Sequence, residues 1–137
     1  MEDAAASPDF RYLVLVKEAV VIGFACLVFV RPLQWSDADD ATHLPQIVDL
    51  LVSPAHRRQG YGSFFSGAME TMAQEKGHDC LYIAVDYPAN AEAHALYLRL
   101  GYQQLQLQPY PKHWGFTDSG GTYHHGDDLI VDMAKTL

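Results

Sequence analysis

The order of apolar and polar positions divides the first part of the chain into three runs of strand length. Residues 11–16 and 20–30 are rich in Val, Leu, Ile and Phe, and a charged pair at 17–18 separates them. Because β-branched residues are dense in both runs, they predict a hairpin of two strands rather than one buried helix. Residues 47–52 form a third apolar run. The pattern therefore predicts three strands before any helix.

Helical spacing begins after these strands. From residue 60 to 76 the apolar positions recur three and four residues apart, which predicts an amphipathic helix that ends in the left-handed conformation at Gly77. Residues 80–85 read as a fourth strand, and Asn90 is placed to cap a second helix that Gly101 ends. The inward face of that second helix is predicted to carry Ala93, Leu96, Tyr97 and Leu100.

The order of strand, helix, strand and helix predicts a right-handed crossover. The strands over 47–52 and 80–85 should therefore be parallel neighbours. Residues 103–108 and 129–133 predict a final strand pair, joined by a loop of about 20 residues. A loop of that length in a compact domain is usually functional or disordered, and this one contains Trp114, Gly120, Gly121, His124 and His125.

The length of 137 residues suits a single domain, which we place at residues 11–137 behind a flexible lead-in over 1–10. A content of 49% hydrophobic and 19% charged residues argues against disorder. The longest apolar run, residues 19–30, is too short for the roughly 20 residues of a membrane span. We expect no membrane association. A polar stretch over 35–44 reads as a loop.

The net charge of −8 disfavours binding to nucleic acids and acidic membranes, and it attracts cationic small molecules. Cys26 and Cys80 both lie in apolar stretches without the Cys-x-x-Cys spacing of a metal or redox site. No signal-peptide pattern precedes them. These features predict a protein of the reducing cytoplasm.

The stretch with the most chemical information is Arg57-Arg58-Gln59-Gly60-Tyr61-Gly62, which follows a strand and opens directly into a helix. Glycines let a turn bring several backbone N–H groups onto one point, and a helix N-terminus adds partial positive charge there. A diphosphate would fit on the N–H groups of residues 59–63. The alternative is a tight strand-to-helix turn without a ligand, and the stretch lacks the Gly-Lys-Ser/Thr of a nucleotide P-loop.

A second motif follows at a suitable distance, Asn90-x-x-Ala93-x-x-x-Tyr97-x-x-x-Gly101-Tyr102. With this pair of motifs in this order, the chain resembles the GCN5-related N-acetyltransferases (GNAT) over about residues 11–137. The resemblance implies an α/β fold with a mixed β-sheet, flanked by helices and splayed between the strands at 47–52 and 80–85. Acetyl-CoA, as cosubstrate, would lie in that gap.

The resemblance also assigns site residues. The cofactor-binding positions it implies are Leu51, Val52, Arg57, Arg58, Gln59, Gly60, Tyr61, Gly62, Ser63, Asn90 and Tyr97. Tyr97 matches the tyrosine beside the thioester sulfur, and we predict that it is the catalytic general acid for the leaving thiolate. The alternative is a core tyrosine on an amphipathic helix. We predict no metal site, because adjacent His124 and His125 would point apart on a strand.

The general base is harder to assign. Family members that acetylate protein N-termini often carry a Glu on the fifth strand, where this chain has Ala84-Val85-Asp86. Asp86 would substitute for that Glu or, as we favour, solvate the end of the strand. By strand alternation Gln46 reaches the cleft and Asp49 points to the opposite face, and deprotonation through water is a further route.

The chain departs from the family pattern before residue 11, where most members have another strand and two helices. One apolar face of the sheet would be bare, and we expect a homodimer, or a partner chain, to cover it. The leading hypothesis is an acetyl-CoA-dependent acyltransferase that transfers the acetyl group directly to a primary amine of a small molecule. The alternatives are acetylation of a protein or peptide N-terminus, and a non-catalytic acyl-CoA-binding module.

Overall fold

The computed structural model describes residues 10–30 and 43–137. They belong to two compact units, one that extends to residue 83 and includes residues 135–137, and one over 84–134. Residues 1–9 of the predicted lead-in and residues 35–42 of the predicted polar loop lie outside the described residues.

The first unit begins with the predicted hairpin. Strands β1 (Phe10–Lys17) and β2 (Val20–Val28) pair antiparallel, from Phe10 opposite Val28 to Lys17 opposite Val20. Glu18 and Ala19 connect them with positive φ angles of 51° and 65°. Two consecutive left-handed residues match the right-handed twist of the flanking strands, so the hairpin prediction is confirmed.

Strand β3 (Gln46–Val52) pairs antiparallel with β2 and parallel with β4 (Cys80–Asp86). The parallel register consists of Gln46 opposite Tyr82 and Ile47 opposite Ile83. The prediction that these two strands are parallel neighbours is therefore confirmed.

A β-bulge interrupts β3. Cys26 lies opposite Val48 and Phe24 lies opposite Leu51, so two residues of β3, at positions 49 and 50, face one residue of β2. Asp49 has a φ of 57° at this point. Because a bulge resets the alternation of side chains, the sequence argument that assigned Gln46 and Asp49 to opposite faces does not extend across it.

Helix α1 (Tyr61–Glu75) follows β3 and confirms the first predicted helix within one residue at each end. Its buried face consists of Phe65, Ser66, Met69 and Ala73. Gly23 of β2 lies beneath this face, since a Cβ built there would be 3.3 Å from the Phe65 ring and 2.9 Å from the Leu51 carbonyl oxygen. Gly77, with a φ of 85°, ends the helix as predicted.

The second unit contains α2 (Ala91–Arg99), and Asn90 caps it as predicted. Strand β5 (Gln103–Gln104) is only two residues long, so the strand predicted over 103–108 is wrong beyond its start. The Gln106 side chain explains the early end of the strand. The Gln106 Oε1 accepts from the Asp132 backbone N–H, and the Gln106 Nε2 donates to the Asp132 Oδ2, both at 2.7 Å. These side-chain bonds replace backbone pairing at that point.

The long loop predicted before the last strand is also wrong. The chain instead forms a hairpin of β6 (Tyr110–Thr117) and β7 (Tyr123–Thr136), with Thr117 opposite Tyr123. Asp118 organises the turn by accepting from the N–H groups of Gly120 and Thr122, each at 2.9 Å. An Asx-type turn of this kind is a local signal that the loop prediction did not use.

Aromatic side chains pack over glycines on this hairpin. The indole of Trp114 covers Gly126, which lies opposite it on β7, and the Tyr123 ring covers Gly115. His124 stacks on Phe116, whereas His125 stacks on Tyr123. The two histidines therefore lie on opposite faces of the hairpin, as the sequence predicted. None of the helices in the described ranges is long and apolar enough to cross a membrane.

Candidate active site

The turn between β3 and α1 brings most of the predicted cofactor-binding residues together in the first unit. A short 3-10 turn at Pro54–His56 follows β3. The Arg57 Nε then donates to the Val52 carbonyl oxygen at 3.1 Å, which ties the turn back to the end of the strand. Arg58 and Gly60 have φ angles of 62° and 86°, so the backbone adopts the left-handed conformation at two positions before the helix begins.

This turn presents unpaired amides at the start of α1. The N–H of Phe64 donates to the Gly60 carbonyl oxygen at 3.0 Å, so the amides of residues 61–63 precede the hydrogen-bonded ladder of the helix. The first turn of α1 contains no acidic residue, and the side chains of Arg57 and Arg58 are exposed beside it. A helix N-terminus of this kind attracts anions.

The space in front of Gly60 has room for a ligand. A Cβ built at Gly60 meets no protein atom within 4 Å. The residues of the turn therefore fit a diphosphate group, with the amides of residues 61–63 and the exposed guanidinium groups as its partners. The exposed Leu51 on β3 lies just before this turn.

Gln46 lies at the start of the same strand, and its Oε1 is buried without a hydrogen-bond partner among the described residues. An unpaired buried carbonyl oxygen is rare in native proteins. A donor from a ligand or a water molecule would satisfy it. The sequence analysis identified Gln46 as a side chain that reaches the cleft, and no contact within the described part of the chain accounts for its oxygen.

The other two predicted site residues, Asn90 and Tyr97, lie on α2 in the second unit. The Asn90 Oδ1 accepts from the Ala93 N–H at 3.2 Å and so caps the helix. Tyr97, one of the buried residues of this unit, is 4% exposed, and its ring packs edge-on against Tyr102 with centroids 5.5 Å apart. Burial raises the pKa of the Tyr97 phenol well above its ordinary value. The side chain is therefore a neutral hydrogen-bond donor across the physiological pH range.

An acidic cleft of about 360 Å³ lies near the end of β4 in the second unit. Asp86 and Tyr87 line one side of it, and Asp127 and Asp128 of β7 line the other. Burial, together with the nearby charge of Asp128, raises the pKa of the Asp86 carboxyl. The exposed Asp86 carboxylate at the end of β4 therefore also lines an acidic cleft that it shares with Asp127 and Asp128.

Sequence reasoning missed a chain of hydrogen bonds in the second unit. The His94 Nε2 contacts the Gln104 Oε1 at 2.7 Å, and the Gln104 amide nitrogen donates to the Gln106 carbonyl oxygen. Gln106 is bonded in turn to Asp132, which also accepts from the Tyr110 hydroxyl at 2.9 Å. Two signals were present in the sequence: His94 follows Asn90 by one helical turn, and Gln104 and Gln106 alternate.

The hairpin places its histidines in separate environments. The His113 Nδ1 contacts the Asp127 Oδ1 at 3.0 Å, and the His124 Nε2 contacts the Asp118 Oδ2 at 2.8 Å. Within the described residues, no group of three or more His, Cys, Asp or Glu side chains is arranged to hold a metal ion.

The fold, an α/β arrangement with a mixed sheet, a Gly-containing turn at a helix N-terminus and a buried tyrosine on the next helix, defines a class of CoA-dependent acyltransferases. The protein-family model for the acetyltransferase (GNAT) family matches residues 1–102. The chain therefore belongs to the GNAT family, whose members are acetyl-CoA-dependent N-acyltransferases, and the predicted family and fold class are confirmed. No curated protein matches the sequence significantly.

Solved structures with the same fold carry different substrates in their names. The ribosomal-protein-S18-alanine N-acetyltransferase from Escherichia coli is 19% identical, with a TM-score of 0.64 over 98% of this chain and 73% of that one. An aminoglycoside 6'-acetyltransferase type Ii is 17% identical, with a TM-score of 0.60 over 94% and 70%.

A third structure, the PaiA N-acetyltransferase from Thermoplasma acidophilum in complex with coenzyme A, is 15% identical, with a TM-score of 0.63 over 98% and 65%. At these levels of identity the likeness shows the fold alone, and the class of acceptor stays open between small molecules and proteins.

Proposed function

We propose that the protein transfers the acetyl group of acetyl-CoA directly to a primary amine of a small molecule. The observation that carries this proposal is the turn between β3 and α1, where two left-handed residues, Arg58 and Gly60, bring free helix amides to an open surface. The acetyl-CoA pyrophosphate would lie on the amides of residues 59–63. Arg57 and Arg58 would contribute the opposing charge.

The transfer step requires little covalent chemistry from the protein. The ammonium of the acceptor first loses a proton to solvent, and the neutral amine nitrogen then attacks the thioester carbonyl carbon. An N–C bond forms, the nitrogen loses its second proton, and the C–S bond breaks. The departing thiolate takes a proton from the Tyr97 phenol. A phenol in a water-poor environment holds its proton firmly, but the same environment strengthens the sulfur as a base while negative charge develops on it, which assists the transfer.

The acidic cleft supports a cationic acceptor. Three carboxylates, from Asp86, Asp127 and Asp128, line a space of about 360 Å³ in a chain of net charge −8. An ammonium group is attracted to such a cleft and carries three donors for its carboxylates. Burial and the nearby charge of Asp128 raise the pKa of the Asp86 carboxyl, and a cation bound beside it would lower that pKa.

The experiment is thiol release from acetyl-CoA with separate pools of polyamines, aminoglycosides, amino acids and short peptides. We expect release with one of the small-molecule pools, and a higher KM for that acceptor in Asp86→Asn and Asp128→Asn. Asp79→Asn removes an exposed carboxylate of the first unit and should leave KM unchanged. Release with peptides alone would identify an N-terminal acetyltransferase instead. If acetyl-CoA raises the Tm of the protein but no pool gives thiol release, the protein is a non-catalytic binding module.

Two further assignments belong to this proposal. A cytoplasmic location suits the two free thiols, of which Cys26 is buried and Cys80 half-buried. A homodimer suits β1, where Tyr12, Val14 and Val16 form a row of exposed apolar side chains on a strand at the edge of the described sheet. Two copies that each carry a net charge of −8 repel one another, so an uncharged row is the surface on which they would meet.

A further inference from the structure

His94 lies on the same face of α2 as Tyr97 and the capping residue Asn90, both of which match positions of the family motif. It follows Asn90 by four residues and precedes Tyr97 by three, and side chains at this spacing lie above one another on one helix face. The imidazole is half-buried. The sequence analysis assigned it no role, because apolar neighbours on the helix determined the predicted inward face.

The contacts of His94 fix the position of its proton. Gln104 donates its amide N–H to the Gln106 carbonyl oxygen, so the Gln104 Oε1 is the atom that faces the His94 Nε2 at 2.7 Å. An amide oxygen only accepts, so Nε2 must carry the proton. In the neutral imidazole the lone pair then lies on Nδ1, which makes no hydrogen bond within residues 10–30 and 43–137.

The remaining contacts hold this arrangement in place. Gln106 is bonded twice to Asp132, and the Tyr110 hydroxyl donates to the same carboxylate at 2.9 and 3.0 Å. On its other side the imidazole packs against the ring of Tyr87, with centroids 4.3 Å apart. Tyr87 also lines the acidic cleft, so a single side chain connects the histidine to the space to which the acceptor is assigned.

We propose that His94 is the general base of the acetyl transfer, with Gln104 as its positioning residue. The inference rests on the proposed function and assigns to it the base that the sequence could not. As the amine nitrogen bonds to the thioester carbonyl carbon it becomes positively charged and must lose a proton, which the His94 Nδ1 accepts. The sulfur gains a proton from Tyr97 as the C–S bond breaks. The imidazolium then returns its proton to solvent, and the Tyr97 phenolate regains a proton from solvent.

This assignment predicts the direction of the pH dependence. Only a neutral imidazole accepts a proton, so kcat should fall as the pH is lowered from neutral towards acid. Several ionisable or charged groups of this unit lie around His94. They are Tyr87 in ring contact with it, Glu92, Tyr97 and Arg99 on its helix, Asp86, Asp127 and Asp128 around the cleft, and Asp132 and Tyr110 along the hydrogen-bond chain.

The test compares His94→Gln with the wild-type protein in acetyl-CoA thiol release across pH 5 to 9. We expect kcat to fall by about 100-fold, the acidic limb of the kcat profile to disappear, and the calorimetric affinity for acetyl-CoA to stay unchanged. Added imidazole should restore part of the rate in His94→Ala. His78→Gln, which changes a histidine stacked on Phe29 in the first unit, should match the wild type.

Gln104 is tested by its effect on the same limb. Gln104→Leu removes the acceptor that holds the Nε2 proton, so we expect a loss of about 10-fold and a displaced acidic limb. Gln103→Leu changes the exposed neighbour on β5 and is the matched control. If His94→Gln keeps the wild-type rate and profile, the inference fails while the proposed function stands. If the wild-type protein releases no thiol with any amine, both fail together.

Discussion

At the scale of single residues, Tyr97 is the side chain with the most specific predicted role. Its phenol is 4% exposed, and burial raises its pKa, so it is protonated wherever the enzyme works. We expect Tyr97→Phe to lower kcat by about 100-fold, the magnitude of a lost proton transfer, while the affinity for acetyl-CoA changes little. Steady-state kinetics and calorimetry on the same preparation measure the two quantities.

Tyr12→Phe removes the hydroxyl of an exposed tyrosine on β1 and is the matched control. It should leave kcat unchanged. A Tyr97→Phe variant with the full wild-type rate would show that Tyr97 serves the core of the second unit and that another group protonates the sulfur.

The sequence allowed the prediction of those site residues that depend on their immediate neighbours. The run from Leu51 to Ser63 is contiguous, and the Asn90 cap is read from positions one turn apart, so a linear pattern contains both. The proposed general base, His94, depends on side chains that come together from separate elements. Gln106 and Asp132, for example, are 26 positions apart, and no local pattern specifies that they pair.

At the scale of elements, alanine variants at the two ends of α1 distinguish a loss of ligand binding from the cost of backbone strain. Gly60 and Gly77 flank the same helix with φ angles of 86° and 85°, and a Cβ built at either meets no protein atom within 4 Å. Alanine at each position should therefore cost a similar 1 to 2 kcal/mol of folding free energy, about the penalty of a left-handed residue. Thermal unfolding measures this shared loss.

Only the Gly60→Ala variant should also lose affinity for acetyl-CoA, because its Cβ would project into the space assigned to the pyrophosphate. Gly77→Ala lies at the far end of α1 and controls for the strain. Equal calorimetric affinities in the two variants would mean that the pyrophosphate binds elsewhere.

The β6–β7 hairpin depends on a single carboxylate at its turn. Asp118 accepts from His124 and from the backbone amides of the turn, and these hydrogen bonds lower the pKa of its carboxyl. A carboxyl whose pKa is lower in the folded state than in the unfolded state stabilises the fold at pH values above its unfolded pKa. This stabilisation disappears as the pH falls through the folded pKa. Asp118→Ala should therefore loosen the hairpin at pH 7 and have little further effect at strongly acidic pH.

Amide hydrogen exchange of the turn residues Gly120 and Thr122 measures this local opening at pH 7, and near-ultraviolet circular dichroism of the hairpin aromatics extends the comparison to acid. Ser119→Ala changes an exposed side chain in the same turn and should preserve protection. Unchanged exchange in Asp118→Ala would show that the stacked aromatic rings of the strands hold the hairpin without its turn.

The elements that the sequence predicted well are those whose signal is periodic. Both helices and the first four strands follow apolar repeats, and the structure places them within about two residues of the expected bounds. The sequence predicts a loop instead of β6 and the start of β7, where Gly115 and Gly126 interrupt the apolar pattern. In the folded strands those glycines make room for Tyr123 and Trp114, a cross-strand arrangement that the order of residues does not reveal.

At the scale of the whole molecule, self-association must overcome a net charge of −8 on each copy. Tyr12, Val14 and Val16 are 51%, 47% and 54% exposed on β1, on the side away from Leu15 and Gly23. Among the described strands β1 is an edge strand, and such an edge would pair with a second copy across a twofold axis. We predict a dimer in solution that strengthens as salt screens the repulsion.

Val14→Lys tests this interface. It places a charge in the centre of the apolar row, where desolvation is unfavourable, so light scattering after size exclusion should show half the wild-type mass. Thr71→Lys adds the same charge on the exposed side of α1. Both variants change the net charge from −8 to −7, and this smaller charge by itself would favour association. If only Val14→Lys loses the dimer, the contact lies on β1. If the wild-type protein is monomeric at high salt and high concentration, the row has a partner other than a second copy.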